Sequence, residues 1–309
     1  MNIVFMGTPD FAVPSLKALA ADTRFDVKAV FTQPDKPVGR KKVLTPPDIK
    51  VCAEELGISV YQPDSLKNDE TAELIESFAP DVIVVIAYGK ILPQNILDIP
   101  KYGCVNIHGS VLPKLRGAAP IQRAVIEGEK VTGITAMKMD VGLDTGDIID
   151  VVKTEIDQNE TAGELFDRLS AMAPELLIHT LISLENGDAV FTQQDNDLST
   201  YAKPLSKDEA EIDWRTNAED IHNKVRGMNP WPVAFTYYKS KKLKVFQTCI
   251  TNRKGKPGEI VSLEPPIVAC GSGAVELVSV QLEGKKQMSA EEFFRGQRTK
   301  VGDMIVSYE

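Results

Sequence analysis

Five consecutive β-branched residues, Val82, Ile83, Val84, Val85 and Ile86, constrain this 309-residue chain more than any other stretch. The run is far short of the roughly 20 apolar residues that a membrane-spanning helix needs. It shows no polar alternation, so it predicts a strand covered on both faces, as in the middle of a parallel sheet. Such a strand requires helices above and below it, and the flanking sequence provides them. Apolar strand-like runs at residues 2–6, 26–32, 60–61, 103–108, 133–139 and 146–156 alternate with helical patterns at 11–21, 49–56, 71–78 and 118–127. Thr161 and Glu164 have the spacing of a capping box and open a helix expected to run through residue 184. The alternation predicts an α/β fold, a Rossmann-like, doubly wound and mostly parallel sheet over residues 1–188. In such sheets the site lies beyond the carboxyl ends of the strands. Gly7, Arg40, Tyr88 and His108 all follow strands at that edge.

The first turn, Gly7-Thr8-Pro9, is not a dinucleotide fingerprint: GxGxxG is absent, and Pro9 interrupts the row of backbone N–H groups. A phosphate-binding P-loop is also missing. The long connection of residues 33–48 holds Arg40, Lys41 and Lys42 among prolines, and long loops of this kind usually carry function. Residues 189–206 are polar and irregular and read as a linker. Residues 207–309 follow with a helix at 218–227, the turn Asn229-Pro230-Trp231-Pro232 and several short strands, which predict a small OB-like β-barrel. Net charge is −9, unevenly placed: residues 1–204 carry 30 acids against 19 bases, residues 205–309 carry 14 against 16. A weakly basic part on an acidic body favours a polyanionic partner. The N-terminal residues show no basic n-region and no cleavage site, so a cytoplasmic protein is expected.

The chemistry concentrates in GCVNIHGSVLPKLRG, residues 103–117, and in the acid-rich turn that follows downstream. Asn106 and His108 are two apart at a strand end, so they face one common space. An imidazole beside an amide sets a proton acceptor beside a hydrogen-bond donor. The turn offers Asp140, Asp144 and Asp147 as carboxylates able to orient the ring. Their spacing is unlike a calcium loop, and no transition-metal pattern accompanies them. The four cysteines, Cys52, Cys104, Cys249 and Cys270, form no CxxC pair and read as reduced thiols. No G-x-S-x-G elbow is present, so direct transfer is expected over a covalent intermediate. His179 and His222 lie in helical segments without an acid or nucleophile pattern.

These segments, NIHGSVLPKLRG followed by DVGLDTG, resemble the core of the folate-dependent formyltransferases, with the pattern N-x-H-x-S-x-L-P-x-x-x-G and then D-x-G-x-D-x-G. MGTPDFAVPSL, FTQPDKPVGRKK, VVIAYGKILP, AKPLSKDEAEIDW and NPWP extend the resemblance over essentially the whole chain, toward the members that act on a charged tRNA. The resemblance implies formyl transfer from 10-formyltetrahydrofolate to initiator methionyl-tRNA for translation initiation, without a metal and by a monomer. It implies Asn106, His108 and Asp144 as catalytic residues. His108 would be the base or proton relay, Asp144 its orienting and stabilising acid, and Asn106 the oxyanion donor. It implies Ser110, Val111, Leu112 and Pro113 as the folate loop, and Arg40, with Lys41 and Lys42, as tRNA contacts. The basic loop departs from the family by reading GRKK where GRGKK is expected. Two other readings stay open at this point: the same chemistry on a nucleotide amino sugar, and a non-catalytic tRNA- or folate-binding protein.

Overall fold

Burial on both faces is what the sheet's central strands display. In a computed structural model that describes residues 1–39 and 41–306, every residue of Val82–Ile86 and of Cys104–His108 is buried. In chain order the strands are β1 (Asn2–Gly7), β2 (Asp26–Phe31), β3 (Lys36–Val38), β4 (Val43–Thr45), β5 (Val60–Tyr61), β6 (Val82–Ile86), β7 (Cys104–His108), β8 (Arg116–Gly117), β9 (Val131–Lys138), β10 (Ile148–Glu155) and β11 (Tyr201–Ala202). Seven of them form one sheet, in the order β10-β9-β7-β6-β1-β2-β5. β5, β2, β1, β6 and β7 are mutually parallel, and β9 runs antiparallel to β7 with His108 opposite Thr135. The expected doubly wound, mostly parallel sheet is therefore present. The reversal at β9 brings the chain back along β7 and places the following acid-rich turn within reach of it.

Helices α1 (Val13–Ala21), α2 (Asp48–Glu55), α3 (Asp69–Ser77), α4 (Gln94–Leu97), α5 (Pro120–Ile126) and α6 (Ala162–Asn186) alternate with these strands. The start of α6 is the expected capping box: Glu164 N donates to Thr161 Oγ1 at 3.2 Å, and Thr161 N donates to Glu164 Oε2 at 2.8 Å. At the carboxyl edge, the Tyr88 carbonyl accepts from Thr8 Oγ1 at 2.9 Å and from Gln33 Nε2 at 3.0 Å. Those bonds tie together the chain leaving β1, β2 and β6. The long connection after β2 is an antiparallel hairpin of β3 and β4, with Val38, Val43 and Leu44 exposed.

The chain divides into two packed units. The first comprises residues 1–118, 132–154 and 166–202, and the second residues 119–131, 155–165 and 203–309. Most of the stretch expected as a linker thus packs with the first unit, where β11 pairs with β8. Within the second unit, α7 (Ala218–Gly227) and α8 (Ala290–Gly296) accompany a six-stranded sheet. Its strands are β12 (Phe235–Tyr238), β13 (Lys241–Thr251), β14 (Ile260–Leu263), β15 (Pro266–Ala269), β16 (Ala274–Leu282) and β17 (Met288–Ser289). All its pairings are antiparallel, and the register breaks in β13 near Val245 and Gln247, where bulges bend a strand. The result is a curled half-barrel around Trp214, Ile221, Leu243, Leu277, Phe293 and Phe294. Among the described residues, no helix is long and apolar enough to cross a membrane.

Candidate active site

Strand β7 ends at the carboxyl edge with Asn106 and His108, 8% and 6% exposed. Their i, i+2 spacing puts both side chains on one face of the sheet. Among the described residues the Asn106 side-chain amide bonds to no other protein group, so its donors remain available while the strand fixes its backbone. His108 is held differently. Its Nε2 lies 2.9 Å from the carbonyl oxygen of Leu115, and its Nδ1 lies 3.6 Å from Asp144 Oδ2. A carbonyl can only accept, so Nε2 carries a proton, and in the neutral imidazole Nδ1 presents its lone pair. A separation of 3.6 Å is too long for a hydrogen bond. Asp144 therefore stands beside Nδ1 without bonding to it, while the Leu115 carbonyl fixes the ring plane.

Each of those partners is itself fixed. Leu115 and Asp144 both adopt left-handed backbone conformations, with φ of 60° and 53°. Such conformations persist in non-glycine residues only where the surroundings enforce them. Leu115 N donates to Thr200 Oγ1 at 2.9 Å, and Gly117 N donates to Asp144 Oδ2 at 2.8 Å. The sequence offered three acids in this turn, and the structure separates their parts. Asp140 Oδ1 accepts from Gly142 N at 2.9 Å and from Thr145 Oγ1 at 2.6 Å, shaping the turn from inside. Asp147 accepts the Lys138 N–H through its backbone carbonyl. Asp144 is the one brought to His108.

The loop expected to face folate follows directly. Ser110 and Leu112 are buried, and Val111 and Pro113 are partly exposed. Ser110 Oγ donates to Lys114 O at 2.7 Å, so this hydroxyl is spent on the loop's own shape. Thr135, fully buried on β9, pins the loop from below: its Oγ1 donates to Ser110 O at 2.6 Å and accepts from Leu112 N at 3.2 Å. Val111 and Pro113 are left as the apolar surface of this loop. Of the basic triplet, Arg40 lies outside the described residues. Lys41 and Lys42 are exposed in the turn between β3 and β4.

Sequence reasoning missed the side chains that join these loops. Gln194, in the polar stretch before β11, is 5% exposed. Its Oε1 accepts from Arg116 Nε at 3.0 Å and Arg116 Nη2 at 2.8 Å. Its Nε2 donates to the carbonyls of Asp144 at 2.9 Å and Gly146 at 2.7 Å. No local periodicity could announce a partner so distant in sequence. The remaining ionisable groups stand apart from this chemistry. Burial, with Asp98 adding to it, pushes the Cys104 thiol up to about 12, which rules it out as a nucleophile near neutral pH. His179 is exposed and pairs with Asp150 at 2.8 Å, and His222 is buried in the second unit.

An amide donor, a basic nitrogen and a carboxylate beside it suit attack by an amine on a carbonyl carbon. Comparison with known proteins agrees. Residues 1–181 match the formyl transferase family, and residues 204–298 match the family's C-terminal domain. The chain is 47% identical to the methionyl-tRNA formyltransferase of Acetivibrio thermocellus, covering 99% of each protein. It is 48% identical to the enzyme of that name from Clostridium perfringens strain 13, covering 99% of this chain and all of that one. Among solved structures, an N-formyltransferase from Helicobacter canadensis in complex with folinic acid and dTDP-3-aminofucose superposes with a TM-score of 0.66. It is 19% identical and covers 89% of this chain and 98% of that one. A methionyl-tRNA formyltransferase from Clostridium thermocellum superposes with a TM-score of 0.58 at 22% identity, covering 82% and 95%. At these identities the superpositions speak for the fold.

Proposed function

This chain belongs to the formyl transferase family, and on that premise we propose that it formylates the amino group of initiator methionyl-tRNA, with 10-formyltetrahydrofolate as donor and Asn106, His108 and Asp144 as its catalytic residues. Full-length identity near one half to enzymes of that name supports the substrate pair. The arrangement of His108 between the Leu115 carbonyl and the Asp144 carboxylate is the observation that carries the assignment of roles.

The chemistry follows from that arrangement. The methionyl amine attacks the formyl carbon and forms a C–N bond, and the carbonyl electrons move onto oxygen. Asn106 Nδ2 donates to that oxygen, a contribution whose removal typically costs about 10²–10³-fold in rate. His108 Nδ1 takes the amine proton. The resulting imidazolium lies between the Leu115 carbonyl, which accepts from Nε2, and the Asp144 carboxylate, which neutralises the new charge. The proton then passes to the folate nitrogen as its bond to the formyl carbon breaks, and His108 is neutral again. The donor rests against the apolar surface of Val111 and Pro113, on a loop whose shape Ser110, Leu112 and Thr135 maintain. Arg40, Lys41 and Lys42 contact the phosphate-dense acceptor end of the tRNA. The half-barrel unit contacts the tRNA backbone. One chain supplies every named group, and it acts as a monomer.

Transfer of labelled formyl groups to charged initiator tRNA, run beside a panel of nucleotide amino sugars, tests the reading. Formylation of the tRNA alone is expected. His108→Ala is expected to lower kcat by about 10²–10⁴-fold, the usual value of a general base. Near-normal turnover in that variant, or preference for an amino sugar, would sink the assignment.

A further inference from the structure

His108 and Asp144 face each other only because two separate loops are held in register. One loop, residues 109–117, contains the Leu115 carbonyl that fixes the imidazole and the Gly117 N–H that holds Asp144. The other, residues 139–147, contains Asp144. Gln194 belongs to neither and bonds to both: Arg116 on one side, the Asp144 and Gly146 carbonyls on the other. An amide has two donors and two acceptor positions, and here all four are used at 2.7–3.0 Å. Gly146 lies close against β9, where a Cβ would stand 1.7 Å from the Lys138 carbonyl oxygen, so only glycine fits there. At Gly146 the second loop thus lies between β9 and the Gln194 amide. Arg116 is 9% exposed, and among the described residues its guanidinium meets only amide oxygens, those of Gln194 and Asn196.

We propose that Gln194 is a positioning residue for formyl transfer, setting the separation of His108 and Asp144 by bracing residues 115–117 against residues 144–146. The proposal rests on the roles given above to those two residues. The side-chain chemistry is specific. Glu at this position would still accept from Arg116 but would set negative charge against two carbonyl oxygens. Lys would serve the carbonyls and repel Arg116. Met would fill the space and serve neither side. Only a primary amide satisfies both loops, so Glu removes one half of the bridge, Lys the other, and Met both.

The test is a double-mutant cycle. Gln194→Glu and Gln194→Met are made in the native chain and in an Asp144→Ala background. For each, kcat, KM for both substrates and Tm are measured, with rates normalised to folded protein. In the native background a displacement of this kind is expected to cost about 10- to 100-fold in kcat, with each KM within about threefold. In the Asp144→Ala background Gln194→Glu, which keeps the bonds from Arg116, is expected to change kcat by less than about twofold, because the group it positions is gone, and Gln194→Met is expected to cost less than in the native chain. Asn196→Ala leaves both ends of the bridge in place and is expected to keep kcat within about twofold. Losses that multiply with that of Asp144→Ala would overturn the proposal. So would losses that vanish once rates are normalised to folded protein, or an unchanged kcat in both variants. If Asp144→Ala itself leaves kcat intact, the role given to Asp144 fails first, and the bracing role fails with it. That result is distinct from failure of Gln194 alone.

Discussion

At the scale of single residues, the site is set by groups that never touch the reacting atoms. His108 owes its ring plane to the Leu115 carbonyl, and Asp144 owes its placement to the Gly117 N–H. Thr135 shows how much can rest on one hydroxyl, since Oγ1 bonds Ser110 O and Leu112 N from a fully buried position. Thr135→Val keeps the shape and removes both bonds. It leaves a buried carbonyl and N–H unpaired, at about 1–3 kcal/mol each. The expected outcome is a lower Tm together with a raised KM for the folate donor and little change in the KM for tRNA. Thermal unfolding and steady-state kinetics on the one variant check both.

Elements of the first unit were legible wherever burial wrote a pattern. The unbroken run of β6, the strand carrying Asn106 and His108, and the Thr161–Glu164 start of α6 are all where periodicity and capping chemistry put them. The hairpin of β3 and β4 was not legible, because it buries neither face and so leaves no alternation to read. The pairing of β8 with β11 involves two residues a side and joins segments far apart in sequence, so only the folded chain reveals it. Asp144 was separable from Asp140 and Asp147 only through a family pattern, and Gln194 not at all.

Helix α7 in the second unit carries a pH-dependent element. His222 Nε2 donates to the Gln158 carbonyl at 3.0 Å, and Nδ1 accepts from Thr248 Oγ1 at 2.9 Å, a neutral imidazole's complement. Burial holds this imidazole below its usual range, opposed by the bond to Gln158 and reinforced by the charge of Arg226. Below about pH 6.5 the unfolded chain takes up a proton that the folded unit resists, so stability falls on acidification. The slope is at most about 1.4 kcal/mol per pH unit, and it ends at the folded-state pKa. Tm measured between pH 7.5 and 5.5 is expected to fall less in His222→Gln than in the native chain.

For the molecule as a whole, charge is the term that acts at long range. A net −9 chain approaching a polyanion depends on local cations, and the proposed function gives that part to Lys41 and Lys42, both exposed between β3 and β4. Replacing both with Ala is expected to raise the KM for tRNA, leave that for folate unchanged, and flatten the plot of log Kd against log salt by about two. Binding titrations at several salt concentrations measure the slope directly. Against that salt-sensitive contact, the brace between the two active-site loops has the opposite character. It consists of the bonds of one side-chain amide, Gln194, to Arg116 and to two backbone carbonyls, and an amide does not ionise. The Gln194 amide neither gains nor loses a proton, so a change in the rate of this enzyme with pH does not report a loosening of the scaffold which that amide supplies.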